Sequence, residues 1–100
     1  MKKRVIARLL LNEASLASFK FCADKILEKS RKEDGNVSYN LYQNFSRKSE
    51  FLFVEIYKDQ EALDTHFNSE HLKLFLSEIK SYLLKEPVIE IDAVKEYLQI

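Results

Sequence analysis

The two histidines of this chain, His66 and His71, fall in one stretch, EFLFVEIYKDQEALDTHFNSEHLKLFL, running from Glu50 to Leu76. Imidazole titrates near neutrality, so a histidine set among Phe, Leu and Tyr suits the work of a general base. Glu55 lies in an otherwise apolar run and could orient a histidine or bind a substrate hydroxyl. Tyr39, Phe53, Tyr57 and Phe67 could wall a pocket for a small ring, with His71 at its edge. Plainer roles exist beside these. His66 can pack at a helix–sheet junction with one satisfied hydrogen bond, and Glu55 can pair with Arg8 or with a lysine of a second chain. Five-residue spacing does not put both histidines on one face of a continuous helix, so the pair is weak as a metal signature. No Ser-His-Asp order, phosphate-binding glycine loop or CxxC is present. The reading assigns no metal and no other cofactor.

The elements that must position these residues are legible in the hydropathy pattern. Val5 to Leu11 reads as a strand apolar on most of both faces. Ser15 to Glu33 reads as a helix, with Leu16, Phe19, Ala23, Ile26 and Leu27 as its stripe, Phe21 opposite the stripe, and Ser15 or Asn12 as cap. Gly35 is expected to close that helix in a left-handed conformation. Val37–Asn44 and Glu50–Tyr57 alternate and form a hairpin around a polar turn at 45–49. Asp59 caps the next helix, Asn68-Ser69 breaks it, and Ser69 caps a second segment whose stripe is Leu72, Phe75, Leu76, Ile79 and Leu83. Pro87 stops that segment, and Val88 to Val94 is the last strand.

The order βαββαβ is that of an α+β, ferredoxin-like domain with a four-stranded antiparallel sheet and helices on one face. One hundred residues make one domain, 1–100, with a tail over 95–100 that could pack on a neighbouring copy. Both sheet faces carry apolar side chains, while helices cover only one. Phe51, Phe53 and Tyr57 with Val5, Ala7 and Leu9, or the alternate set, are left uncovered, and each large side chain in water forgoes roughly 1.5–3 kcal/mol. Such a face marks an interface or a pocket. Two copies packed sheet to sheet would form a dimeric α/β barrel, and the chamber so sealed would hold the site.

Composition narrows the function. Sixteen basic and sixteen acidic residues leave no net charge, which removes the phosphate-neutralising drive for nucleic acid. No apolar run is long enough to span a bilayer. The N-terminal KKRVIARLLL resembles a signal peptide, but Arg8 interrupts its apolar run, and a strand is expected there. The lone Cys22 cannot form an internal disulfide, which suits a reducing, cytoplasmic setting.

Three passages together resemble the antibiotic biosynthesis monooxygenase family of small dimeric α/β-barrel proteins. SRKEDGNVSYNLYQN, from Ser30, is similar to its helix end of Arg, acidic residue and Gly followed by a strand with Tyr. FVEIYKDQEALDTHF, from Phe53, is similar to its strand with Glu and an aromatic two residues on, an acidic helix start and a His. SEHLKLFL, from Ser69, is similar to the opening of its next helix. The likeness runs from about Val5 to Val94. It places Glu55, His66 and His71 at recurrent pocket positions and Tyr57 where many members have Trp. Haem-degrading members need an Asn, a Trp and a ligating His where this chain has Ala7, His66 and Leu76, so haem is not expected. The resemblance implies a homodimer that oxidises a small quinol-like or polyphenolic substrate with dioxygen and no cofactor. His66 and Glu55 would be catalytic, and Tyr39, Phe53, Tyr57, Phe67 and His71 would line the substrate site. A base-driven isomerase of a small carbonyl compound and a non-catalytic ligand-binding barrel are the alternatives.

Overall fold

The computed structural model describes residues 1–99. Its elements are β1 (Lys3–Leu10), α1 (Leu16–Arg31), β2 (Asn36–Asn44), β3 (Arg47–Tyr57), α2 (Gln60–Phe67), α3 (Glu70–Ile79) and β4 (Val88–Ala93), with 3-10 turns at Glu13–Ser15 and Lys80–Tyr82. The strands lie in the order β2-β3-β1-β4, and every pairing is antiparallel. This is the expected ferredoxin-like α+β architecture.

The helices cover the face built from Val5, Ala7 and Leu9 on β1, Phe51, Phe53, Glu55 and Tyr57 on β3, and Tyr39 and Leu41 on β2. Register fixes that set, because Val5 sits opposite Glu55, Ala7 opposite Phe53 and Tyr39 opposite Glu55. One core joins Phe19, Ala23 and Ile26 of α1 and Phe75 and Ile79 of α3 to Leu9, Phe53 and Tyr39. A smaller one gathers Val5, Tyr57, Ala62 and Leu63 beneath α2. The uncovered set is therefore the alternate one: Ile6 and Leu10 of β1 with Leu52, Val54 and Ile56 of β3, all half-buried. Of the two alternatives, the set with Phe51, Phe53 and Tyr57 is the one the helices cover. With them, the candidate site moves off the bare face.

Local physics explains most boundaries. The Asp59 carboxylate accepts the Ala62 N–H at 2.8 Å and starts α2, and Ser69 Oγ accepts the Leu72 N–H and starts α3. These caps satisfy backbone donors that a helix start leaves unpaired. Neither Asn12 nor Ser15 caps α1 in that way; Ser15 Oγ instead donates to Asn12 Oδ1 at 2.6 Å. The helix α3 ends at Ile79, well before Pro87, and Leu83 leaves the expected stripe to bridge Leu11. The hairpin turn shortens to Phe45-Ser46.

Gly35 does not take the left-handed conformation expected of it. Its need for no side chain comes from packing: a methyl built there would overlap Ala62 Cβ. The absent Cβ lets the α1–β2 connection lie against α2, and so sets the distance between Glu33 and His66. Phe21 is exposed, as expected, with Lys25 Nζ 5.2 Å from its ring centre. Beyond β4, Tyr97 and Leu98 are exposed, and Ile100, the end of the expected tail, lies outside the described residues.

Candidate active site

Strand β3 sets Glu55 and Tyr57 two residues apart, so both project to the helix side. Tyr39 stands beside Glu55 on β2. Helix α2 carries His66 in its last turn, and α3 carries His71 in its first. Between them Ser69 donates from its N–H and from Oγ to the His66 carbonyl, at 3.0 and 2.7 Å. This break cancels the angular separation that five residues of unbroken helix would impose. Both imidazoles consequently face one carboxylate, that of Glu33, just past the end of α1.

His66 Nδ1 lies 2.8 Å from Glu33 Oε2, and His71 Nε2 lies 2.5 Å from the same oxygen. On its other side His66 Nε2 is 3.6 Å from Glu55 Oε1, too far for a hydrogen bond. Glu55 Oε1 accepts the Tyr57 hydroxyl at 2.7 Å. The Tyr39 and Tyr57 rings lie 5.4 and 5.2 Å from the His66 ring, and Phe67 lies 5.9 Å from it. Phe53 packs on Tyr39 at 5.6 Å. All seven residues singled out from the sequence thus belong to one connected cluster. His66 is only 1% exposed and Glu55 4%, while His71 is half-buried.

Burial sets the protonation of this cluster. It lowers the His66 pKa, an effect the hydrogen bond and charge of Glu33 partly offset, so the ring is neutral at pH 7. Burial raises Glu55 to about 7, with the Tyr57 hydroxyl opposing and the charge of Glu33 adding. Tyr57 and Tyr39 are pushed up, first by burial and then by Glu55, and stay protonated. A carboxylate oxygen accepts, so the ring nitrogens facing it carry its hydrogens. Neutral His66 with a proton on Nδ1 leaves Nε2 bare and aimed at Glu55. A base thus faces a carboxyl group that is half protonated at neutral pH.

Glu55 does not pair with Arg8, which instead approaches Glu50 at 3.6 Å. Glu33 is the residue that the sequence reading did not assign, although it lies in the quoted passage SRKEDGNVSYNLYQN. Its partners are 33 and 38 residues away, and one acid in a run of charges carries no local mark of that.

Glu33, His66 and His71 offer three ligand atoms within 4.8 Å of one another. Zinc holds imidazole nitrogen at about 2.0–2.1 Å and needs its ligands spread around it. Here both nitrogens are engaged by one oxygen at hydrogen-bond length. A cleft of about 380 Å³ adjoins the cluster, lined by Glu33, Gly35, Lys58, Asp59, Ala62 and Thr65. An apolar groove of about 460 Å³ lies between α1 and the hairpin, against Phe19, Leu41 and Phe51. Glu55, Tyr57 and His66 line neither. The enclosed chamber expected on the bare face is therefore not where the cluster lies.

The βαββαβ order with a broken second helix makes this a ferredoxin-like α+β protein. Residues 4–77 match the model of the antibiotic biosynthesis monooxygenase family, and the chain belongs to that family. It is 31% identical over 84 residues to "Putative monooxygenase Rv0793" of Mycobacterium tuberculosis, covering 84% of this chain and 81% of that protein. The solved structure of Rv0793 superposes with a TM-score of 0.91 at 24% identity, over 99% of this chain and 100% of that one, a likeness of fold. Over 70 residues, 70% of this chain, it is 33% identical to "Uncharacterized protein sll1783" of Synechocystis. Over 61 residues, 61% of this chain, it is 30% identical to "Putative monooxygenase YcnE" of Bacillus subtilis. The matched region spans about half of sll1783 (48%) and 64% of YcnE. No helix among the described residues is long and apolar enough to cross a membrane.

Proposed function

We propose that this protein is a monooxygenase that oxidises a small, electron-rich phenol or quinol with dioxygen, using His66 as the base and no cofactor. The observation that carries the reading is a buried His66 whose Nδ1 lies 2.8 Å from Glu33 and whose Nε2 faces Glu55, itself bonded to Tyr57, in a chain of this family. The substrate O–H proton passes to His66 Nε2. The phenolate gives one electron to dioxygen, and the phenoxyl radical and superoxide join in a C–O bond at a ring carbon. The O–O bond then breaks as the ring carbon loses its hydrogen as a proton. One oxygen stays as a carbonyl, and the other leaves as water with the proton returned by His66. Phenol and dioxygen thus give quinone and water. In this reading Tyr39, Phe53, Tyr57, Phe67 and His71 contact the substrate. Admitting a ring to Nε2 requires the short helix α2 to lift from the sheet, because the cluster is closed as it stands.

An oxygen electrode with a panel of hydroquinones and naphthols tests this. Dioxygen uptake is expected, with one atom of labelled dioxygen recovered in the product. No uptake across the panel contradicts the reading. One observation favours a second reading: Glu55 Oε1 lies 3.6 Å from His66 Nε2, and burial raises its pKa, so an acid stands opposite a base, the pair that enolisation of a small carbonyl compound needs. Isomerisation without dioxygen is its signature.

We also propose a homodimer that buries the bare sheet face. Ile6, Leu10, Leu52, Val54 and Ile56 form its apolar surface, with Arg8 among them paired to Glu50 and the Arg4–Asp92 pair toward the β4 edge. The C-terminal tail would lie near that partner. Sedimentation at micromolar concentration is expected to give a dimer, and a monomer removes this part of the proposal. The dimer and the reactive centre then lie on opposite sides of the sheet. A single buried cysteine, Cys22, fits a cytoplasmic setting.

A further inference from the structure

We infer that Glu33 is the positioning residue of this site: it selects the tautomer of His66 that leaves Nε2 bare, and His71 holds Glu33 in place to do so. The inference deepens the proposed function and rests on it for the role of Nε2, but not for the tautomer itself. Imidazole alone has only a slight preference between its two neutral forms, so the neighbours decide. Two carboxyl groups compete for the His66 proton. Glu55 approaches Nε2 at 3.6 Å, while Glu33 meets Nδ1 at 2.8 Å.

Glu55 is a poor acceptor for that proton, because 3.6 Å is beyond hydrogen-bond length. Glu33 is fixed by a second donor, His71 Nε2, on the oxygen that faces His66. His71 reaches it only because Asn68-Ser69 ends α2 and restarts the chain as α3. Gly35 keeps α2 close to the end of α1, since any side chain there would overlap Ala62. These features from α1, α2 and α3 therefore act on one proton. When Nε2 takes a proton, the same carboxylate lies against the resulting imidazolium and stabilises its charge, the role a carboxylate plays behind a catalytic histidine.

Nitrogen-15 spectra of the histidine ring test this without substrate. In the parent at pH 7.5, His66 is expected to show a protonated Nδ1 and a bare Nε2. In Glu33→Ala the acceptor is gone, and the proton is expected to move to Nε2, toward Glu55. Glu33→Gln keeps an acceptor oxygen without the charge, so it is expected to retain the Nδ1–H tautomer yet lose at least tenfold in kcat with little change in KM. A parent ring protonated on Nε2 overturns the inference whether or not either variant folds. So does a Glu33→Ala spectrum unchanged from the parent. Absence of turnover in the parent would sink the proposed function and leave the tautomer assignment standing.

Discussion

His66→Ala is expected to lower kcat for phenol oxidation by roughly 10²–10⁴-fold, the usual contribution of a positioned general base. The size of the effect follows from how little else in the cluster can take a proton. Tyr39 and Tyr57 are held in their neutral forms by burial and by Glu55. Glu33 meets the far nitrogen of His66, and His71 spends its Nε2 on Glu33. Glu55 is the one remaining candidate, and it is half protonated near pH 7. His66→Gln serves as the control for packing, because it fills much of the same space and supplies hydrogen bonds but no base. Both variants are expected to show the large loss, with KM changed far less. The parent rate should fall on the acid side only below the ordinary imidazole range, because burial lowers the His66 pKa and only the neutral ring is a base. A variant within threefold of the parent would remove His66 from the reaction.

Glu55→Gln is expected to stabilise the protein at pH 8 by up to about 3 kcal/mol and to leave it unchanged near pH 4. The Glu55 carboxyl rises from its ordinary value of 4.5 to about 7 in the fold, and each pKa unit corresponds to about 1.4 kcal/mol. The folded state therefore binds more protons than the unfolded chain between those values, and stability falls as pH rises through that window. Glutamine removes the ionisation while its carbonyl can still accept the Tyr57 hydroxyl. His66 works in the opposite sense. Its lowered pKa means that the unfolded chain binds more protons below about pH 6.5, so its contribution is lost as pH falls. That term is common to both proteins and cancels in the comparison. Urea unfolding of parent and variant between pH 4 and 8 reads the difference. A gap that stays constant across the range would mean that Glu55 is not held protonated by the fold.

Much of this arrangement is written locally in the chain. The alternation at Glu50–Tyr57, the caps Asp59 and Ser69 and the break at Asn68 mark their own positions, since each acts over three or four residues. The choice of sheet face does not. Phe51, Phe53 and Tyr57 are as apolar as Leu52, Val54 and Ile56, and what decides between them is which set meets Phe19, Phe75 and Leu63 on helices far along the sequence. The role of Glu33 is hidden for the same reason. Its meaning comes from two histidines across the fold, and five-residue spacing counts against a shared partner until the helix break is placed. Gly35 marks a boundary correctly for a reason that no local rule supplies, the close approach of Ala62.

The central claim is that Nε2 of His66 takes the substrate's proton before oxygen is involved, and anaerobic mixing measures that step alone. A naphthol whose free form is neutral at pH 7 should develop the absorbance of its anion on binding the parent under nitrogen, and should not on binding His66→Ala. An anion band of equal size with His66→Ala, or none with a parent that binds the naphthol, would contradict the account.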